Sequence, residues 1–378
     1  MNTINMNNND IQRAKIAGLL KYCAVIYTNG FKNKSLSDFA FNPVLGCMHA
    51  CVFCYVASLV RFQKKLLATL GIHDPDGDWG KYAFVRAWDP SEFRETLRSA
   101  ERKPDIKLSR DGNRAIIFSS TTDSYSTISC EDAQVRAKAN ALLKETVRGA
   151  LELILRESTL NVRILTRSPL AERDFDLMEK YGSRLLFGMS LPTLNNKLAK
   201  VYEPGAPAPT RRLQTLKRAR DRGLNVFVAV APTYPECDRA DLLATFTAIK
   251  ELNPVTVFHE PINVRADNID RIAKSAAAAG VELNPEVLRT ECSWRKYAIG
   301  QLHLAESVAA EVGLAERLHL WPDSSLLSAT SLKEQTHPEE FRQWVVKWHN
   351  RVSEWPTDTQ NATTKVQQGH AFTRGKAL

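Results

Sequence analysis

"NVRILTR" (161–167), "RLLFGMSL" (184–191) and "NVFVAVAP" (225–232) are mostly apolar along their whole length, without alternation. A strand built this way is covered on both faces, as in a parallel sheet packed under helices. Two more runs of the same type flank them, "RAIIFSS" (114–120) and "VTVFHEP" (255–261). The stretches between read as helices, at 131–156, 210–222 and 238–251 among others. Thr210 and Asp238 are placed to cap two of these helices, and Gly223 to stop one.

Strand–helix alternation predicts a parallel sheet whose right-handed crossovers curl it toward a barrel. A first strand over 38–46 makes six, so the expected fold is α/β, a partial (β/α)6 barrel of TIM type with a helical C-terminal extension. "LHLWPD" (318–323) is a candidate extra strand. The expected divisions are an N-terminal extension over 1–35, the barrel over 36–265, a mostly helical region over 266–355 and a flexible tail over 356–378. The Asn-rich first ten residues read as frayed. No internal repeat is visible.

In such folds the chemistry sits at the C-terminal ends of the strands. The segments there are the Cys47 loop, Ser119 to Tyr125, Thr166–Arg167, Ser190, Pro232 to Cys237, and His259–Glu260. The first of these, "GCMHACVFCY" (46–55), holds three of the seven cysteines, and the next, Cys130, is far along the chain. Closely spaced thiolates point to a soft metal or a cluster. Structural zinc normally takes four protein ligands, and His49 as a fourth would be cramped within the same short loop. Iron–sulfur clusters held entirely by protein use four cysteines. Three cysteines leave one iron open, and an open position on a metal admits substrate or cofactor. The spacing therefore favours a cluster over zinc.

The chain has 378 residues, 44% hydrophobic and 25% charged, an ordinary globular composition with ample material for a core. Its start has no apolar stretch behind a basic head, and no apolar run approaches the ~18 residues of a membrane span. Neither a signal peptide nor a membrane partner is expected. An odd number of cysteines fits a reducing cytoplasm better than a disulfide framework. The net charge of +9, from 51 Lys+Arg against 42 Asp+Glu, is compatible with a nucleic-acid partner and equally with a merely basic surface.

The C-x3-C-x2-C spacing of Cys47, Cys51 and Cys54, with Phe53 before the last cysteine, resembles the radical S-adenosylmethionine (SAM) superfamily. The resemblance implies that these cysteines hold a [4Fe-4S] cluster whose open iron is chelated by the amino and carboxylate groups of SAM. An electron from a reductant of flavodoxin or ferredoxin type would then cleave SAM to a 5′-deoxyadenosyl radical. "FNPVLGCMHACVFCYV" (41–56), "LTRSPLAERDFDLM" (165–178) and the stretch 190–235, with its distinctive "YEPGAP", are similar to the spore photoproduct lyase-like branch. By position, the likeness puts Tyr55 and Phe53 beside the cluster and SAM. It puts Arg167 and Ser190 against the SAM carboxylate or ribose.

That branch also implies a hydrogen-donating cysteine at the end of the second strand, where this chain has Ser120. A serine O–H bond is too strong to replace a thiol in that role, so another thiol serves or the reaction differs. Cys237, with Tyr234 three residues before it as a conceivable relay, and Cys130 are the candidates. Cys23 and Cys292 lie off the chemical face. Asp123 reads either as an acceptor for the SAM ammonium or as an Asx-turn residue. Of His259 and Glu260, at most one faces inward, because neighbours on a strand point oppositely. Arg211, Arg212, Lys217, Arg218, Arg220 and Arg222 crowd one helix and read as a solvated face. Trp344, Trp348 and Trp355 read as a buried stripe of the last helix.

The resemblance and the charge together favour DNA or another nucleic acid, or a nucleotide, as substrate. The alternatives are a radical SAM enzyme acting on a peptide or small molecule, and a non-catalytic metal-containing nucleic-acid-binding protein.

Overall fold

The doubly apolar strands pair in register to make one sheet. The computed structural model describes residues 15–265, 267–283 and 285–356; the expected frayed start and the tail past Pro356 lie outside them. The strands are β1 (Ile16–Cys23), β2 (Ile26–Thr28), β3 (Phe39–Phe41), β4 (Val44–Gly46), β5 (Tyr82–Ala87), β6 (Ala115–Phe118), β7 (Asn161–Thr166), β8 (Leu185–Ser190), β9 (Asn225–Thr233), β10 (Val257–Pro261) and β11 (Leu318–Leu320). Eight of them form a sheet in the order β11-β10-β9-β8-β7-β6-β3-β2. Every neighbour pair in it is parallel except β2 with β3. "LHLWPD" thus supplies β11, a seventh parallel strand. β11 and β2 remain edges, so the barrel is partial.

The expected strand over 38–46 is two strands. The chain breaks at Asn42–Pro43, with β3 in the barrel and β4 in a separate sheet of order β1-β5-β4. Pro43 has no N–H with which to continue a ladder. Asn42 instead turns its side chain to Ser120 Oγ (2.7 Å) and to the Thr121 N–H (3.0 Å). The expected N-terminal extension contributes β1, which pairs parallel to β5 from Ile16 opposite Tyr82, and β2 on the barrel edge.

Asp238 caps the helix Arg239–Lys250 by accepting from the Asp241 N–H. Thr210 is not a cap: its helix spans Pro209–Asp221, preceded by Ala208 without a side-chain cap. Proline at the first helical position is preset in φ and needs no hydrogen bond there. Gly223, at φ +81°, follows the end of that helix.

Ala40, Ile117, Leu186, Phe227, Phe258 and Trp321 fill the barrel interior, with Trp355 packed against them. Trp355 donates through Nε1 to the Ser183 carbonyl at 2.7 Å, which places it at the N-terminal end of β8. It therefore departs from the expected helical stripe: the helix Pro338–Asn350 carries Trp344 and Trp348, and Trp355 lies beyond it. No helix among the described residues is long and apolar enough to cross a membrane.

Candidate active site

The cysteine loop leaves β4 at Gly46 and is gripped on two sides. On one side the Val52 N–H donates to the Tyr202 carbonyl (3.0 Å), and the Gly205 N–H to the His49 carbonyl (2.9 Å). A Cβ on Gly205 would stand 2.3 Å from the Met48 carbonyl oxygen. On the other side Gly80, at φ +87°, approaches so closely that a Cβ there would lie 2.3 Å from that of Ala50. Two glycines, one of them Gly205 within "YEPGAP", thus let neighbouring backbone close on the loop.

A cavity of about 980 Å³ opens at the C-terminal ends of the strands. Cys47, Cys51, Cys54, Phe53, Tyr55, Ser120, Asp123, Arg167 and Ser190 all line it, as does His49. The Tyr55 hydroxyl donates to the Ser120 carbonyl at 2.7 Å, tying the cysteine loop to the end of β6.

Asp123 accepts from the Tyr125 N–H (2.9 Å), which is the Asx turn, but it does more than close a loop. Its carboxylate also accepts from Thr166 Oγ1 (2.7 Å) and from the Arg167 N–H (2.8 Å), and it lies 3.3 Å from His49 Nδ1. One buried carboxylate therefore joins the cysteine loop to the end of β7.

Arg167 donates through Nε to Glu203 Oε1 at 2.7 Å, with its guanidinium 5.7 Å from the Phe53 ring. Glu203 is also bound by Arg212. Burial alone would raise the Glu203 carboxyl, but the guanidiniums of Arg212 and Arg167 hold it down at about 2. Arg212 is thus inside the protein, a correction to the solvated basic face. Of the other members, Lys217 pairs with Glu251, Arg218 with Glu172, Arg220 with Asp221 and Arg222 with Glu179, while the exposed Arg211 donates to Gln214 Oε1 at 3.2 Å.

Burial pushes the Cys47 thiol up to about 12, assisted by the Asp123 charge, and burial also raises Cys51 and Cys54. Thiols raised in this way hold their protons, and binding a metal would displace them. Among the described residues no three His, Cys, Asp or Glu side chains converge on a single metal ion. Three cysteines fall one short of the four protein ligands that structural zinc takes; they suit a cluster, where each thiolate would take its own iron.

The remaining candidates lie elsewhere. Tyr234, Cys237 and Cys130 are not among the residues lining the cavity. Tyr234 is buried, stacked on Tyr202 at 3.9 Å between ring centroids and 5.8 Å from Phe53. Cys237 is buried beside Asp241. Cys130 hydrogen-bonds the Asp132 carbonyl at the start of the helix Ala133–Glu157. Of the His259–Glu260 pair, Glu260 lines the cavity, its carboxylate 2.6 Å from Lys34 Nζ. His259 faces away, 3.2 Å from Thr233 Oγ1, and burial lowers it to about 3.

Sequence reasoning passed over Glu203, although it lies within "YEPGAP". Asn42 and Arg271 were also missed, and no local pattern marks either.

The family model of the Radical SAM superfamily matches residues 41–249. An uncharacterized protein of Acidianus two-tailed virus is 29% identical over 263 residues, covering 67% of this chain and 77% of that protein. Another, from Methanocaldococcus jannaschii, is 25% identical over 232 residues, 61% of this chain and 72% of that one. Among solved structures, spore photoproduct lyase complexed with dinucleoside spore photoproduct aligns with a TM-score of 0.55 at 12% identity over 80% of each chain. A mutant of it with bound AdoMet and dinucleoside spore photoproduct gives 0.52 at 13% identity, over 75% of this chain and 76% of that one. At such identities these structures speak to the fold alone. With more than half its length under the family model, the chain belongs to the radical SAM superfamily, whose enzymes use an iron–sulfur cluster and SAM.

Proposed function

We propose that Cys47, Cys51 and Cys54 hold a [4Fe-4S] cluster, that SAM occupies the adjoining cavity, and that the substrate is a nucleic acid or nucleotide. The observation that carries this reading is that all three cysteines and all the expected SAM-facing side chains line the same cavity. When bound and reduced, the cluster supplies the electron that cleaves SAM to a 5′-deoxyadenosyl radical.

The chain's own residues bind and orient. Glu203 takes up one edge of Arg167 and leaves its other N–H groups for the SAM carboxylate, a charge-assisted contact. Asp123 holds the loop and strand ends in register and offers a cavity-lining carboxylate for the SAM ammonium. Ser190 and the Ser120–Tyr55 pair form the polar wall, and Phe53 lies under the Arg167 guanidinium.

The net charge of +9 and the dinucleoside bound by the structural neighbour support the substrate class. The electron donor is a flavodoxin- or ferredoxin-type protein, in keeping with a cytoplasmic setting. Cys237, with Tyr234 as a relay, is the route to test for hydrogen return, with Cys130 as the fallback.

Anaerobic reconstitution should give broad absorbance near ~400 nm, as thiolate-bound iron–sulfur centres do. Reduction with SAM and deuterium-labelled oligonucleotides should then place deuterium in 5′-deoxyadenosine. Label transfer from a peptide or small molecule alone would sink the nucleic-acid reading. So would oligonucleotide binding that stays flat between low and physiological salt, because phosphate contacts release counterions. Cys237→Ala should still cleave SAM but lose turnover; unchanged products would remove Cys237 and move the search to Cys130.

A further inference from the structure

Two grips on the cysteine loop come from residues within the matched region, but the third comes from beyond residue 249. The helix Asn268–Ala279 presents Asn268 and Arg271 to the loop. Arg271 donates through Nε to the Val52 carbonyl (3.1 Å) and through Nη2 to the Cys54 carbonyl (3.2 Å). Asn268 Nδ2 reaches the Phe53 carbonyl at 3.4 Å. Three successive carbonyls, the last belonging to a cysteine, are thus taken up by one turn of a distant helix. The other edge of the guanidinium pairs with Asp76, and the two side chains are only 12% and 16% exposed.

We propose that Arg271 is a positioning residue that fixes the loop and raises the reduction potential of the cluster, with Asp76 offsetting part of its charge. This rests on the reading that Cys47, Cys51 and Cys54 hold that cluster. A fixed positive charge beside a redox centre favours the state carrying the extra electron, and low exposure limits screening by water. The forked guanidinium also does what a point charge cannot, since it spans two carbonyls at once. Position and potential therefore separate by substitution. Arg271→Gln removes the charge and the fork. Arg271→Lys keeps the charge and loses the fork. Asp76→Asn keeps an acceptor for the Asp267 N–H (3.2 Å) and removes the opposing charge.

The test uses these three variants of the full chain, each checked for native far-UV circular dichroism. Hydrogen exchange of the amides at 52–55 is measured on metal-free protein, where it reports the loop without the cluster. A redox titration followed by electron paramagnetic resonance is then run on reconstituted protein without substrate.

Arg271→Gln and Arg271→Lys should each speed loop exchange about tenfold. Arg271→Gln should also lower the reduced fraction at a fixed potential about tenfold, or about 59 mV for a one-electron couple. Asp76→Asn should move the midpoint upward, and Arg271→Lys should leave it near wild type. Unchanged loop exchange in Arg271→Gln would overturn the positioning role. Midpoints that move in the same direction in Arg271→Gln and Asp76→Asn, or not at all, would overturn the electrostatic role. Failure of the underlying reading is seen separately, as full iron content in Cys47→Ala, and the metal-free exchange result does not depend on it.

Discussion

The two ends of the barrel handle buried charge in opposite ways. At the C-terminal end Glu203 is buried between the partly buried Arg167 and the buried Arg212, each hydrogen-bonded to its carboxylate. At the N-terminal end Arg163 is fully buried, and among the described residues no carboxylate lies in hydrogen-bond reach of it. Its Nη2 reaches only Ser353 Oγ at 3.3 Å, and its faces lie 5.0 to 5.3 Å from Phe227, Phe258 and Trp355. Burial pushes this guanidinium down, yet an arginine keeps its proton in proteins. Paired charge builds a stiff polar wall beside a cavity that must accept a charged ligand. A lone guanidinium stacked among rings serves as packing that stops the other end. Removing one partner of a pair strands charge; removing the lone one exchanges one filler for another.

The largest effect on this contrast is expected from the loop itself. Cys47→Ala, Cys51→Ala and Cys54→Ala should each abolish SAM cleavage while leaving the barrel folded, measured by 5′-deoxyadenosine release and circular dichroism. A variant with wild-type cleavage would remove that residue from the cluster.

Glu203→Gln comes next. It leaves the buried Arg212 and the partly buried Arg167 against a neutral amide and should cost about 3–5 kcal/mol in denaturant unfolding. Because the folded Glu203 titrates near 2, below its ordinary value of about 4.3, its stabilisation is present above that value and is lost as pH falls toward about 2. The stability gap between wild type and Glu203→Gln should therefore close through that window. A pH-independent gap would show that the charge is not what matters.

Gly205→Ala should cost about 1–3 kcal/mol through overpacking against the Met48 carbonyl, and it should reduce iron loading more than it reduces stability. Equal losses would mean that the grip supports the fold at large rather than the loop. The smallest effect is expected at the far end. Arg163→Met should change stability by less than about 1.5 kcal/mol, since an apolar side chain of similar length can fill a ring-lined site at little cost, and leave SAM cleavage unchanged. A loss as large as that of Glu203→Gln would erase the difference between the two ends.

Much of this architecture was legible from local pattern. The runs beginning at Ile116, Val162, Leu185, Val226 and Val257 are apolar on both faces because the sheet is covered on both faces, so each announces its strand without knowledge of the rest. β1 and β5 were not legible. "IAGLLKYC" and "YAFVRA" gain their identity by pairing with each other and with β4, a non-local contact that no window of sequence contains. The split at Pro43 was visible as a residue but not as a change of sheet. Arg212 was read as one of six basic residues on a helix, and only packing turned it inward to Glu203. Trp355 likewise continued a near-helical spacing until the chain left the helix at Asn350.

The family resemblance, not local pattern, pointed to the side chains expected around the cysteine loop; the sequence by itself determined the parallel strand–helix alternation and the three-cysteine loop. These follow from periodicity and from spacing within a few residues, where chain geometry leaves little freedom. Tertiary structure alone decided that Arg167 shares Glu203 with Arg212, that Tyr234 and Cys237 stand off the cavity, and that Arg271 closes on carbonyls more than two hundred positions earlier in the chain. Such contacts depend on which faces the packed elements turn toward one another. A buried polar group must find its partner wherever the fold brings one near, and sequence distance places no limit on that choice.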